Sequence, residues 1–261
     1  MQQQQQAPWK KARNTAITCN TLGQTLRESW RPRSITWWAA RLLKASDSFQ
    51  TALDRQLFRK LQIDSGCTGI GSCFASIEGL GLPCEKVDCC DRNEAVSPFL
   101  LANYSSILGC IYDSLASHGN LCGKCAIHGY TCMNSRRRRR KDLLVLGPPC
   151  QPFSALGNGQ DPLQHEDFEI IFGSRHSSLG RSKVSDNVID FVARTQPAAV
   201  LFENVMAFET AMIIQEGITV AQAFIADLMA LEDEHGRPLF VGYHIFRVSP
   251  HLFLPMDRPR L

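Results

Sequence analysis

Apolar and polar residues alternate along this chain in short blocks whose period keeps changing. Over residues 46–61, Phe49, Leu53, Leu57, Phe58 and Leu61 recur at helical spacing, with Ser46 or Asp47 placed to cap the start. This predicts an amphipathic helix, either packed on the main domain or lying on its surface. A glycine-punctuated turn over 64–72 follows, then a helix over 73–81 and a short strand around 85–90. Residues 114–141, rich in Gly, Cys, His and Arg, keep no period and read as a loop. Residues 142–146 (Asp-Leu-Leu-Val-Leu) form an apolar run closed by Gly-Pro-Pro, the mark of a buried strand. Residues 155–182 read as another long loop. A helix is predicted over 185–195, with Val188, Ile189, Phe191 and Val192 apolar, and a second buried strand over 198–202. A helix over 218–231 and a strand over 240–248 complete the pattern. Strands alternating with helices imply an α/β fold, a mostly parallel sheet with helices on both faces.

Composition narrows this only slightly. The 261 residues, 44% hydrophobic and 20% charged, suffice for one α/β domain and a small appendage. The net charge of +3 permits an acidic partner such as nucleic acid without demanding one. No apolar run approaches the roughly 20 residues that span a bilayer, so no membrane partner is expected. Met1 is followed by five glutamines, and residues 1–20 read as a disordered tail. Residues 21–61 read as a helical extension and 62–261 as the main domain. Eleven cysteines, an odd number, behind a polar N-terminus point to free thiols in a reducing compartment.

Three segments carry candidate chemistry. The first is Asp64-Ser65-Gly66-Cys67-Thr68-Gly69-Ile70-Gly71-Ser72, where glycines at a strand-to-helix turn let the backbone approach a ligand. Asp91 lies about one strand unit downstream, where a carboxylate can bind ribose hydroxyls. A tight turn with no ligand explains the same glycines equally well. The second is Gly147-Pro148-Pro149-Cys150-Gln151-Pro152-Phe153-Ser154. Pro148 and Pro149 fix φ and hold Cys150 on a stiff loop at the sheet's carboxyl edge, where open α/β sheets place ligands. The thiolate is the nucleophilic form, so such a residue needs a partner that removes its proton. The third is Glu203-Asn204-Val205, a carboxylate following an apolar run.

The octapeptide around Cys150 and the Glu203-Asn204-Val205 tripeptide together resemble the cytosine-C5 methyltransferases, which use S-adenosylmethionine. The resemblance covers roughly residues 60–261 and implies a Rossmann-like methyltransferase fold. It identifies Gly69 and Gly71 with the first cofactor motif, preceded by Asp64. It further implies Asp91 as the ribose carboxylate, Asp113 as an adenine contact, and Pro148 beside the cofactor. Cys150 would be the nucleophile that adds to C6 of cytosine. Glu203 would hold or protonate N3 and the exocyclic amine, with Asn204 ordering its loop. Arg260 would bind the O2 side of the base, supported by Arg258. Gln151, Pro152, Phe153 and Ser154 would shape the pocket for a flipped-out base. Cys67 stands where the family usually has Phe, Ser72 where it has a second Gly, and Met256 where it has Gln after Pro255. The resemblance also implies that the target-recognition region and final motif are missing after Leu261. A partner chain supplying target recognition is one expectation, and a non-catalytic nucleic-acid-binding relative is another.

The expected substrate is DNA. A tRNA substrate is the alternative, since residues 203–209 also resemble that branch, although its Cys-Phe-Thr tripeptide is missing. The run Arg136 to Arg140 with Lys141 reads as a nuclear import signal, a phosphate-contacting loop or a solvated loop. With a DNA substrate it leads to the expectation of a nuclear protein. Cys122-x-x-Cys125 with His128 and Cys132 has zinc-like spacing, but four ligands packed so closely are unusual. Free thiols and no metal are expected there.

Overall fold

The computed structural model describes residues 51, 59–119, 123–132, 140–150, 187–213 and 217–248. The segments predicted as a disordered tail and as the long loop after Cys150 lie outside them, as does nearly all of the helix predicted over 46–61. No helix among the described residues is long and apolar enough to cross a membrane.

The elements alternate as the sequence requires. Strand β1 (Ile63–Gly66) leads to α1 (Ser72–Gly79), β2 (Val87–Cys90), α2 (Val96–Tyr104), β3 (Leu108–Tyr112) and α3 (Leu115–Gly119). Then come β4 (Leu143–Leu146), α4 (Val188–Thr195), β5 (Ala199–Phe202), α5 (Ala207–Thr210), the hairpin strands β6 (Met212–Ile213) and β7 (Ile218–Thr219), and α6 (Val220–Met229). Strands β1 to β5 form one parallel sheet in the order β3-β2-β1-β4-β5. The chain therefore builds outward from β1 in one direction, then returns to extend the sheet in the other.

Alternation along the strands divides the core in two. Val87 and Cys89 of β2 join Ile63, Phe74, Ile77, Val96 and Leu100 beneath α1 and α2. Cys90, Tyr112, Leu144 and Leu146 face the other way and meet Leu115, Val188, Ile189, Phe191, Val192 and Phe224. Helix α4 supplies four of these at i, i+1, i+3 and i+4, the stripe a core-facing helix needs. It starts where the Asn187 side chain accepts the Asp190 N–H at 2.8 Å, and ends where Gln196 turns left-handed at φ 44°. Thr219 and Gln222 form a reciprocal capping box at the start of α6.

Four predicted elements need correction. The turn over 64–72 begins as strand β1, which the sequence hides because Asp64 and Ser65 are polar yet buried. Residues 114–141 contain helix α3 and an antiparallel bridge between Lys124 and Thr131. Strand β5 is not buried but an edge strand, with Leu201 55% exposed. Residues 240–248 form no strand, and Val241, Tyr243, Ile245 and Phe246 are exposed there. Their alternation has no strand to pair with among the described residues.

Candidate functional site

The strand registers align five loop beginnings along one edge. Tyr112 pairs with Cys90, Cys90 with Gly66, Gly66 with Leu146, and Leu146 with Phe202. The residues that follow, Asp113, Asp91, Cys67, Gly147 and Glu203, therefore form a row at the carboxyl end of the sheet. At about 4.8 Å between neighbouring strands, the row is roughly 19 Å long. Its centre is the β1–β4 junction, the point where the connections change direction across the sheet and a crevice opens.

On one side of that crevice lies the glycine loop. Thr68 anchors it: its N–H and hydroxyl both reach the Cys90 carbonyl, at 3.1 and 3.2 Å, and its hydroxyl contacts Ser65 Oγ at 3.0 Å. Gly69 and Gly71 take positive φ of 53° and 78°, and so does Cys67 at 52°. A Cβ on Gly71 would sit 2.8–2.9 Å from Leu100, Phe74 and Tyr104, whereas one on Gly69 would meet nothing within 4 Å. Gly71 thus serves packing as well as the turn, while Gly69 leaves open space at the loop. Asp91 closes the loop from β2. One carboxylate oxygen accepts the Gly69 N–H at 2.7 Å and the other accepts the Asn93 N–H at 2.9 Å. Each oxygen keeps a second acceptor site, enough for a vicinal diol. Asp113 is exposed at the end of β3, its carboxylate held by the Ser114 hydroxyl at 3.1 Å.

On the other side is the Cys150 loop. Pro148 is buried, Pro149 and Cys150 are half-buried, and the loop leaves β4 with Gly147 N–H directed to Gly66 O at 3.4 Å. A Cβ on Gly147 would lie 3.8 Å from Glu203 Oε2 and 3.9 Å from Cys67 O. The exposed Glu203 carboxylate and the glycine loop therefore meet above Gly147, three residues before the cysteine. Glu203 is fixed by its backbone, whose N–H donates to Leu146 O at 2.9 Å. Asn204 is 1% exposed and its side-chain oxygen accepts the Val205 N–H at 2.8 Å, which turns the chain sharply after Glu203. Asp91, Asp113, the glycine loop, Cys150 and Glu203 thus converge on one edge. Gln151, Pro152, Phe153, Ser154, Arg258 and Arg260 lie outside the described residues.

Asp64 takes a different position from the one expected beside the cofactor. It points from β1 into the core beneath α3, 3% exposed, with Lys141 Nζ at 2.9 Å and His118 Nε2 at 3.3 Å. Burial alone would push its pKa up, but His118 and Lys141 together outweigh burial and hold it below the usual carboxylate value. Lys141 also approaches Asp88 at 3.9 Å. Burial and the neighbouring Asp64 raise the Asp88 pKa, against the pull of His118 and Lys141. Lys141 is therefore no part of a solvated basic run. It is 6% exposed and ties β1 and β2 to the start of β4. Composition placed it with the arginines; only the partners from β1 and β2 reveal its role.

A parallel sheet ordered β3-β2-β1-β4-β5, with a glycine loop after β1, is a Rossmann-like α/β architecture. Residues 134–212 match the family model of C-5 cytosine-specific DNA methylases. No curated protein matches the chain. Among solved structures it is similar to the Dnmt2 methyltransferase of S. pombe, at 16% identity and TM-score 0.40, over 77% of this chain and 48% of that one. It is also similar to a putative RNA methyltransferase from Pyrococcus horikoshii, at 12% identity and TM-score 0.32, over 76% of this chain and 78% of that one. TrmN from Thermus thermophilus aligns at 14% identity and TM-score 0.31, over 70% of this chain and 41% of that one. The chain spans about half the length of the S. pombe protein.

Proposed function

We propose that this chain carries the catalytic half of a cytosine-C5 methyltransferase that acts on DNA with S-adenosylmethionine as methyl donor. The observation that carries the reading is the edge just described: Cys150 leaves β4 at the β1–β4 crevice, with Glu203 on one flank and the glycine loop on the other. The donor fits the groups present. Gly69 offers open backbone, Asp91 keeps acceptor sites for ribose hydroxyls, and exposed Asp113 suits an exocyclic amine. When bound, it supplies an electrophilic methyl on a sulfonium.

The chain's own residues have a demanding task, because C5 of cytosine is a weak nucleophile. The Cys150 thiolate adds to C6, forming the S–C6 bond and moving the ring's electron pair to C5. Glu203, beside N3 and the exocyclic amine, limits charge on the ring through hydrogen bonds. C5 then takes the methyl group. A base removes the C5 proton, the C5–C6 double bond re-forms, and the thiolate leaves unchanged. A stacked base hides C6, so the target must flip out, at a cost of a few kcal/mol.

The test is transfer of tritiated methyl groups by the full chain to duplex DNA, with tRNA as the second acceptor. DNA labelling that vanishes in Cys150→Ser, with an unchanged melting curve, is the expected result. Labelling of tRNA alone would overturn the DNA assignment, and full activity in Cys150→Ser would overturn the mechanism. A covalent complex with 5-fluorocytosine DNA would separate catalysis from mere nucleic-acid binding.

A further inference from the structure

We propose that Cys110, Cys125, His128 and Cys132 form a structural zinc site that clamps the segment after α3 onto the edge of the sheet. Their ligand atoms all lie within 4.8 Å of one another. His128 Nδ1 is 3.1 Å from Cys132 Sγ and 3.8 Å from Cys110 Sγ. Zinc bonds of about 2.3 Å to sulfur and 2.0–2.1 Å to nitrogen set tetrahedral ligands roughly 3.5–3.8 Å apart. The cluster thus needs movements of about 1 Å at most to close on an ion.

The local fold is built for that convergence. Cys110 comes from β3, the outer strand of the sheet. The other three come from one tight turn, bridged between Lys124 and Thr131, with Cys125 N–H directed to Tyr130 O at 3.1 Å and Gly129 at φ 71°. Ala126 N–H donates to Ile111 O at 2.8 Å, so the turn covers the open edge of β3. All three cysteines are buried, while His128 is exposed. Apolar packing explains three buried thiols. It does not explain an exposed imidazole that turns Nδ1 into their midst. Three thiolates and one imidazole are the donor set of a tetrahedral zinc centre, and four protein ligands leave no open position for catalysis.

Spacing alone suggested Cys122 with Cys125, His128 and Cys132. The fold substitutes Cys110, which no local motif could supply. The role is mechanical: the clamp fixes β3 close to Asp113 and covers an edge that would otherwise offer unpaired backbone.

Metal analysis of the full chain, purified in reductant without chelator, tests this. The expectation is about one zinc per chain, almost wholly lost in Cys110→Ser and retained in Cys122→Ser. Because a buried serine can impair folding, His128→Asn, at an exposed position, is the second variant. It should keep the circular dichroism of the parent and bind Co2+ at least about tenfold more weakly. The parent, stripped and reloaded with Co2+, should show thiolate-to-cobalt charge-transfer bands and the intense visible bands of a tetrahedral site. Absence of zinc together with a pale octahedral cobalt spectrum would overturn the proposal. So would a disulfide among these cysteines in the reduced preparation, or zinc lost in Cys122→Ser but kept in Cys110→Ser.

Discussion

Replacing Lys141 by Met probes the charge cluster that holds β1 in the sheet. Lys141 Nζ lies 2.9 Å from Asp64 Oδ1, and both side chains are nearly fully buried. At an effective dielectric near 20, that pair is attracted by on the order of 6 kcal/mol, and desolvation cancels much of the gain. Removing one partner is a different matter, because the other charge stays buried without compensation. Such losses are about 3–5 kcal/mol. His118 at 3.3 Å keeps part of the compensation, so the lower end, about 3 kcal/mol, is expected here. That corresponds to a drop in Tm of roughly 6–12 °C. The loss must also depend on pH with a defined sign. In the parent, the folded pKa of Asp64 lies below the unfolded one. Its contribution is present above the unfolded carboxylate pKa and is lost as pH falls through the folded value. Lys141→Met removes two of the interactions that hold this pKa down while burial and His118 remain, so the folded pKa moves up from its parental position. The variant is then penalised at neutral pH and recovers relative to the parent as pH falls through that raised value. Urea unfolding of both proteins at pH 7.5 and 5 measures this. A penalty below about 1 kcal/mol at pH 7.5, or one that does not shrink at pH 5, would refute the reasoning.

The glycine loop yields a paired prediction. Gly71→Ala should cost about 2–4 kcal/mol, from left-handed backbone and from three contacts under 3 Å, while Gly69→Ala should cost only about 1–2 kcal/mol; thermal melts of both variants check this. Asp91→Asn should weaken S-adenosylmethionine binding by about tenfold or more, read by titration calorimetry, because a charged acceptor for ribose becomes neutral. The melting temperature of that variant should also fall, since both Asp91 oxygens hold backbone N–H groups.

What the sequence revealed follows the range of the forces involved. β4 and α4 were legible because an apolar run before Gly-Pro-Pro and an i, i+3, i+4 stripe are local signals. β1 was not, because its four residues include Asp64 and Ser65, whose burial depends on partners that arrive later in the chain. The same cause misassigned Lys141: next to five arginines it looked solvated, and only the sheet brings it between two carboxylates. β5 looked fully buried because its apolar residues run without a break, and nothing local says whether a further strand will cover its outer side.

The candidate site divides along the same line. Cys150, Glu203 and the glycines announce themselves by motif, yet no motif states that they share an edge. That follows from register: four consecutive pairings, from Tyr112 to Phe202, set the five loop origins side by side. The register in turn rests on β1, the central strand, and β1 is held by the Asp64–Lys141–His118 cluster. Asp64 thus serves the site at one remove. It was expected beside the cofactor; from beneath α3 it fixes the strand from which the glycine loop departs. A charge change at Lys141 should therefore weaken cofactor binding and methyl transfer along with stability, although Lys141 lies beneath the sheet, away from its carboxyl edge. Activity in Lys141→Met that stays at the parental level per folded molecule would show that the register of β1 tolerates the loss.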